Sequence, residues 1–423
     1  MTKESCLSEY DRLEPALPGL RDLRRRAIAR FGELGFPTGR EEEWRFTDVS
    51  PVAERDFPHP DEEPDASEVE ELASGPLAKS QLAFVDGLYA PEFSSPPHGV
   101  TAESLGDLLD RNPAAVEPFL GRTDGGAFAA LNTALFRDGA FVRVPRGTAV
   151  AEPLHLIFLS TTRAKPFAAH PRILAVVEEG ASIRIAECHA GGTSPHLTNA
   201  VVELEVGEGA HVDWSKIQRE GPEAYHFATV QVRQARGSVF ASHSISLGAA
   251  LSRNDLGVLL DGEGAECSLD GLYELGGTQL ADNHTTIDHA KPHGTSRELY
   301  KGILDGRSRG VFDGRIVVRP GAQKTDAIQT NRNLLLSAGA LANTKPQLEI
   351  FANDVKCKHG ATIGKLDPDV LFYLRSRGIG REEAQRLLIH AFACEVLDAV
   401  PVAEVRERLE EYLLDLVSRK AGV

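Results

Sequence analysis

The 423-residue chain holds only five cysteines, Cys6, Cys188, Cys267, Cys357 and Cys394, and no two of them form a CxxC pair. Scattered and odd in number, they argue against a disulfide framework and for a reducing compartment. Long apolar runs are missing too, since no stretch approaches the roughly 18 residues a membrane-spanning helix needs. The opening MTKESCLSEYDRLEP lacks the apolar core of a secretion signal. A cytoplasmic protein without a membrane segment is therefore expected. Basic charge is in deficit: 46 Lys+Arg stand against 62 Asp+Glu, a formal net charge of −16. Nucleic acid as a partner is disfavoured, because its binding requires a basic footprint.

Familiar catalytic signatures are absent as well. There is no Gly-x-Ser-x-Gly elbow and no His-Glu-x-x-His pair. Gly360-Ala-Thr-Ile-Gly-Lys-Leu366 looks like a phosphate loop but is one residue short between its glycines. It also puts Leu366 where a hydroxyl should hold magnesium. Gly207-Glu-Gly-Ala-His-Val212 and Gly262-Glu-Gly-Ala-Glu-Cys267 begin like dinucleotide fingerprints, yet lack the third glycine and a following helix. No enzyme activity, and no unaided ATP hydrolysis, is expected.

What is present divides the chain into four parts. Residues 1–80 read as an N-terminal helical region with an acidic linker. Leu20, Leu23, Ala27, Phe31 and Leu34 follow helical spacing behind Pro18, and 53–80 are rich in Pro, Asp and Glu. Residues 81–139 mix a hairpin, signalled by Asp86-Gly87, with helical segments. From 140 to 365, Gly followed by a small residue recurs at Gly147, Gly180, Gly209, Gly237 and Gly264, between short β-branched runs such as Ile173–Val177 and Val201–Val206. That drifting repeat, without intervening helices, fits coils of a β-solenoid, with a β-sandwich as the alternative. Residues 366–423 read as a helical domain. One stripe runs Ala384, Leu387, Leu388, Ala391, Phe392 and Val396. A second, after Pro401, runs Val402, Val405, Leu409, Tyr412, Leu413 and Leu416. This helical hairpin is expected to close the β domain, as an end cap or as a docking surface.

Two constellations could carry chemistry. Cys357 and His359 lie two apart in Asn353-Asp-Val-Lys-Cys-Lys-His-Gly-Ala-Thr362. On a strand they would share a face, and thiolate and imidazole both ligate zinc, copper and iron–sulfur centres. A strand cysteine is more often a small buried hydrophobe, so the pair alone leaves packing and ligation both open. Lys356 and Lys358 are expected to favour the thiolate, though they would face away. Asp282, His284, His289 and His293 fit neither strand nor helix spacing for a metal site. They read as turn and hydrogen-bonding residues. His189, next to Cys188, would face the opposite side of its strand.

Several motifs then follow in order: Asp282-Asn-His-Thr285, Tyr300-Lys-Gly-Ile-Leu304, Gly310-Val-Phe-Asp-Gly314, Ala322-Gln-Lys-Thr325, Asn331-Arg-Asn-Leu-Leu-Leu-Ser337, Asp354-Val-Lys-Cys-Lys-His-Gly-Ala-Thr362 and Leu371-Phe-Tyr-Leu-Arg-Ser-Arg-Gly-Ile379. With Glu42-Glu-Trp-Arg-Phe-Thr47, the series resembles the SufB/SufD family of iron–sulfur cluster assembly proteins, the SufD branch in particular. The resemblance implies a mainly β protein with a right-handed parallel β-helix core between N-terminal and C-terminal helical regions. It also implies a scaffold pairing with a SufB-like subunit in a heterodimer. A SufC-like ABC ATPase would dock through Leu371, Phe372, Tyr373, Leu374, Arg375, Ser376, Arg377, Gly378 and Ile379. On this view Cys357 and His359 meet the partner subunit and help acquire iron or hold a transient, shared iron–sulfur cluster. A reduced flavin is associated with such complexes, although no motif locates it. Asn331, where the SufB type carries Cys, and Gly360, where it carries Glu, point to SufD. A homodimer of the isolated chain, and a self-sufficient SufB-like homodimeric scaffold, remain alternatives. A polysaccharide-active solenoid enzyme is disfavoured by the absent secretion signal and by the Cys/His pair.

Overall fold

A computed structural model describes residues 2–60, 68–69, 80–122 and 125–421. Its centre is a parallel β-solenoid of about eight turns with helices before and after it. Successive strands alternate between two sheets. One runs Leu154–Ser160, Ser182–Gly191, His211–Arg219, Val239–Ser246, Glu266–Leu275, Thr295–Leu304, Asp326–Leu335 and Lys356–Gly364. The other runs Gly139–Val144, Arg172–Val177, His196–Val206, Tyr225–Gln234, Leu251–Leu260, Leu280–His289, Arg309–Val318 and Leu341–Ile350. Neighbours within each sheet are parallel and in register. Period-2 alternation therefore sends every second side chain into the space between the sheets. There Val212, Phe240, Cys267, Leu269, Leu256, Ile287, Phe312 and Ile316 form one continuous core.

The recurrent glycines are the corners. Gly147, Gly180, Gly209, Gly237 and Gly264 all have positive φ, between 61° and 69°, where a side chain would be strained. The corner backbone forms a ladder, with Gly180 N–H donating to Glu208 O, Gly209 to Arg236 O and Gly237 to Glu263 O. The series continues through His293 and Lys324, which accept the same left-handed φ, 63° and 64°, without being glycine. Asp86 and Gly87, at φ 50° and 85°, turn the expected hairpin by pairing Val85 with Leu88. Its first strand, Gln81–Val85, also pairs in parallel with Leu154–Ser160.

The N-terminal helices Lys3–Leu13 and Arg21–Leu34, with Gly126–Leu135, pack on the outer face of the second sheet. Phe31, Phe128 and Leu131 meet Leu197, Phe227 and Leu251 there. Phe128 stacks on Phe227 at 3.9 Å between centroids, and Trp44 stacks on Phe128 at 5.6 Å. The expectation of a solvated linker over 53–80 fails at its start. Phe57 is buried, and buried His59 lies 3.4 Å from Glu9. Most of the remaining linker lies outside the described residues.

The C-terminal helices Arg381–Leu397 and Ala403–Ala421 lie flat on the first sheet's outer face, against Ile217, Ile245, Leu272, Ile303 and Leu334. Of the two readings the sequence left open, end cap or docking surface, the end cap does not hold: these helices cover a sheet face and not the end of the stack. The apolar stripe of the first helix is also rotated. Ala384, Ile389, Ala393, Val396 and Leu397 are buried, while Leu387 and Ala391 face out. Val402, Val405, Leu409 and Leu413 on the second helix are buried as expected. Each such fully buried aliphatic contributes about 1.5–3 kcal/mol.

Candidate metal or cluster site at the open end of the solenoid

The last coil is uncovered. Leu341–Ile350 and Lys356–Gly364 end their sheets, and their residues are mostly exposed or half-buried. Cys357 and His359 sit on the last strand, in register with Ala327 and Gln329 below them. Both positions continue columns that run through the core: Cys267, Ser296, Ala327 and Cys357, and Leu269, Glu298, Gln329 and His359. The two side chains therefore lie on the inward face, at the mouth of the solenoid. Cys357 is half-buried against the core and His359 is exposed.

The expected thiolate-favouring effect of Lys356 and Lys358 is not found. Partial burial pushes the Cys357 thiol above its usual range, and Asp326 adds to this, while a backbone hydrogen bond at Ala327 only partly offsets it. The lysines stand on the opposite face of the pleat, so their charge does not reach the sulfur. A bound cation would have to displace that proton itself.

The histidines of the second constellation do not converge. Asp282, buried on the outer face of the second sheet, accepts a hydrogen bond from Thr47 at 2.5 Å and one from Arg253 at 2.7 Å. Arg253 lies over the Trp44 ring at 3.7 Å and donates to Glu43 O. His284 contacts Asp282 at 3.0 Å; burial opposes its charge, but the carboxylate wins and its pKa is raised. His289 points inward onto Ser296 Oγ at 3.0 Å, and His293 occupies a corner. Among the described residues no group of three or more His, Cys, Asp or Glu could hold a metal ion. Cys188 packs under the C-terminal helices, and His189, on the other face, contacts Glu187 at 2.7 Å. A cleft of about 830 Å³ opens beside Trp44, Arg253 and His284, away from the Cys357/His359 pair.

Several residues with structural roles escaped the sequence reading. Lys301, 2% exposed, donates its ammonium to Phe392 O at 2.9 Å and pairs with Glu395, tying the C-terminal helices to the first sheet. Its neighbour Tyr300 needs Gly271, where a Cβ would come within 2.2 Å of its ring. The Tyr-Lys-Gly run is thus a packing and tethering element. Deeper in the solenoid, Glu187 accepts from Trp214 Nε1 at 2.7 Å, and Glu220 meets His226 at 2.7 Å. Burial would raise Glu187, but His189, Lys216 and Trp214 hold it down to about 2. Once the inward phase of each strand is fixed, Glu187, Glu220 and His226 are readable as polar residues at core positions, whereas Lys301 lies on the outer face beneath the C-terminal helices. Composition alone did not mark them.

Asn331 is fully buried, donating to Tyr300 O at 3.1 Å and accepting from Asn333 at 2.7 Å. The helix Pro368–Ser376, capped by Asp367 with Pro368 at its start, buries none of its residues. Its Phe372 and Tyr373 are 73% and 55% exposed.

Comparison with known proteins agrees with this architecture. Residues 158–392 match the SUF system FeS cluster assembly SufBD core domain, and residues 12–156 match the SufBD protein N-terminal region. A Synechocystis iron–sulfur cluster assembly SufBD family protein is 38% identical over 92% of this chain and 89% of its own length. The iron–sulfur cluster assembly protein SufD of Escherichia coli is 34% identical, with 86% of each chain covered. The chloroplastic protein ABCI7 of Arabidopsis thaliana is 31% identical over 90% of this chain and 83% of its own. With both domains matched in order and a SufD among the relatives covered over most of their length, the chain belongs to the SufB/SufD family of SUF-system iron–sulfur cluster assembly proteins, on its SufD branch.

Proposed function

We propose that the protein is a non-enzymatic scaffold subunit that pairs with a SufB-like chain through its open solenoid end. Cys357 and His359 are donors for iron or a nascent cluster, which is cargo completed by groups from the partner. One observation carries this reading: a thiol and an imidazole stand side by side on the inward face of an uncapped last coil. Two donors do not fill a four-donor shell, so a second wall is needed. A long unpaired strand edge is a ready template for one. A SufC-like ABC ATPase docks at residues 371–379, whose exposed Phe372 and Tyr373 support an aromatic contact. The ATPase supplies the nucleotide chemistry that this chain lacks motifs for.

The test is reconstitution of the complex with Cys357→Ala or His359→Ala. Both side chains lie at the rim, so each variant is expected to stay folded, within about 1 kcal/mol of wild type. Iron and acid-labile sulfide per complex should fall severalfold. Undiminished iron and sulfide in both folded variants would refute the ligand role.

A further inference from the structure

The inward column beneath His359 is polar where the fold calls for hydrocarbon. Leu269 is followed by Glu298, then Gln329, then His359, one residue per coil and in register. Gln329 is fully buried and donates its amide nitrogen to Glu298 Oε2 at 2.7 Å. Its carbonyl oxygen, Oε1, is buried without a hydrogen-bond partner. A buried amide oxygen left unpaired costs about 1–3 kcal/mol, so its persistence needs a reason. Stacked residues of adjacent strands are about 4.8 Å apart, which puts the next imidazole within reach of that oxygen. Glu298 Oε2 accepts from the amide nitrogen, so it fixes which end of the amide points to it and which is left for the layer above.

We propose that Gln329, held by Glu298, is a positioning residue for His359, its carbonyl oxygen accepting the N–H of one ring nitrogen. The other ring nitrogen is then left with its lone pair, the form in which imidazole binds a metal. Metal-binding histidines almost always donate their second ring N–H to a carboxylate, a carbonyl or water, and this fixes tautomer and orientation. Here the acceptor belongs to the solenoid interior and is prebuilt before any partner arrives. The inference rests on His359 being a donor to the cargo. Thr344, whose buried hydroxyl also lacks a partner, lies on the same final coil but on the other sheet. It does not share the His359 column.

The experiment uses the full chain labelled with nitrogen-15 at histidine and reads the ring nitrogens by long-range proton–nitrogen correlation. His359 is assigned through the signals lost in His359→Ala. In the wild type a single tautomer with two well-separated nitrogen shifts is expected. Gln329→Leu should collapse them toward the averaged shift of a free imidazole. The double variant Glu298→Leu/Gln329→Leu should do the same; it extends the apolar column begun by Leu269 and guards against a folding defect from a stranded carboxyl. Glu298→Gln, whose amide oxygen still accepts from Gln329, should keep the wild-type pattern. Averaged shifts in the wild type, or unchanged shifts in the folded double variant, overturn the proposal. Cluster content of the reconstituted complex separates the two readings. If His359→Ala leaves iron and sulfide intact while the shifts behave as expected, the ligand role fails and the hydrogen bond remains. If His359→Ala loses iron and sulfide while the shifts ignore Gln329, the positioning role alone is wrong.

Discussion

At the scale of single residues, the interior of the solenoid is a place where charge is either paired or suppressed. His289 illustrates suppression. It is fully buried, its ring meets the Ser296 hydroxyl, and burial drives its pKa down from 6.5 to about 4, with Asp288 opposing only weakly. A histidine with a depressed folded pKa favours folding above its unfolded pKa and loses that contribution as pH falls through the folded one. Stability should therefore decline between about pH 6.5 and pH 4. The share from this residue is at most about 3 kcal/mol, at 1.36 kcal/mol per pKa unit. His289→Asn should flatten that part of the curve while leaving the alkaline side unchanged, as judged by urea midpoints across the range. An unaltered acid slope would show that other buried histidines, such as His226, carry the effect. Nothing in the sequence marked His289 as inward-facing. Its spacing to His284 and His293 suggested turns, and only the strand register separates the three.

At the scale of elements, the sequence was most legible where backbone geometry leaves few options. The glycine corners needed positive φ, and their spacing exposed the coil repeat. The Asp86-Gly87 turn was equally plain. The C-terminal helices were less legible, because a helix on a flat sheet buries a broad face whose centre is set by the sheet. Hence Ile389 and Ala393 are inside while Leu387 is out. This placement also changes how the ATPase docking reading should be tested. Deleting residues 371–423 would strip the cover from Ile217, Ile245, Leu272 and Ile303, so lost binding would not distinguish docking from exposure. Phe372→Ser with Tyr373→Ser is the cleaner experiment, since both side chains are largely solvated and neither belongs to the buried core. The thermal midpoint should hold, with a cost within about 0.5 kcal/mol per site. Affinity for the SufC-like ATPase should drop on the order of 30-fold or more, as for an aromatic hot spot of 2 kcal/mol or above. Full binding by the double variant would move the docking site elsewhere.

At the scale of the molecule, two coverings and one opening define the design. The N-terminal helices cover one sheet, the C-terminal helices cover the other, and the end of the stack carrying Cys357 and His359 is left bare. Repeat proteins usually close such ends with a polar cap, and the long uncapped edge is what supports the proposed pairing with a second chain. The sequence could place Cys357 and His359 on a strand but could not say that the strand was last, because chain order does not say where the helices after it return. The hydrogen-bond alternation makes the opening testable. Lys356 N–H donates inward to Thr325 O, so along a parallel strand the N–H groups of Cys357, His359, Ala361 and Ile363 point to the free edge. Proline at position 361 would remove an outward donor without breaking the internal ladder, and Gly360 before it tolerates the restriction that proline imposes. Ala361→Pro should cost on the order of 1 kcal/mol in the isolated chain. It should also weaken association with a SufB-like subunit, or with a second copy of this chain, by 10-fold or more in sedimentation equilibrium. If Ala361→Pro pairs as tightly as wild type, the strand edge is not the seam. The proposed Cys357/His359 site would then have to be completed by some route other than an extended sheet.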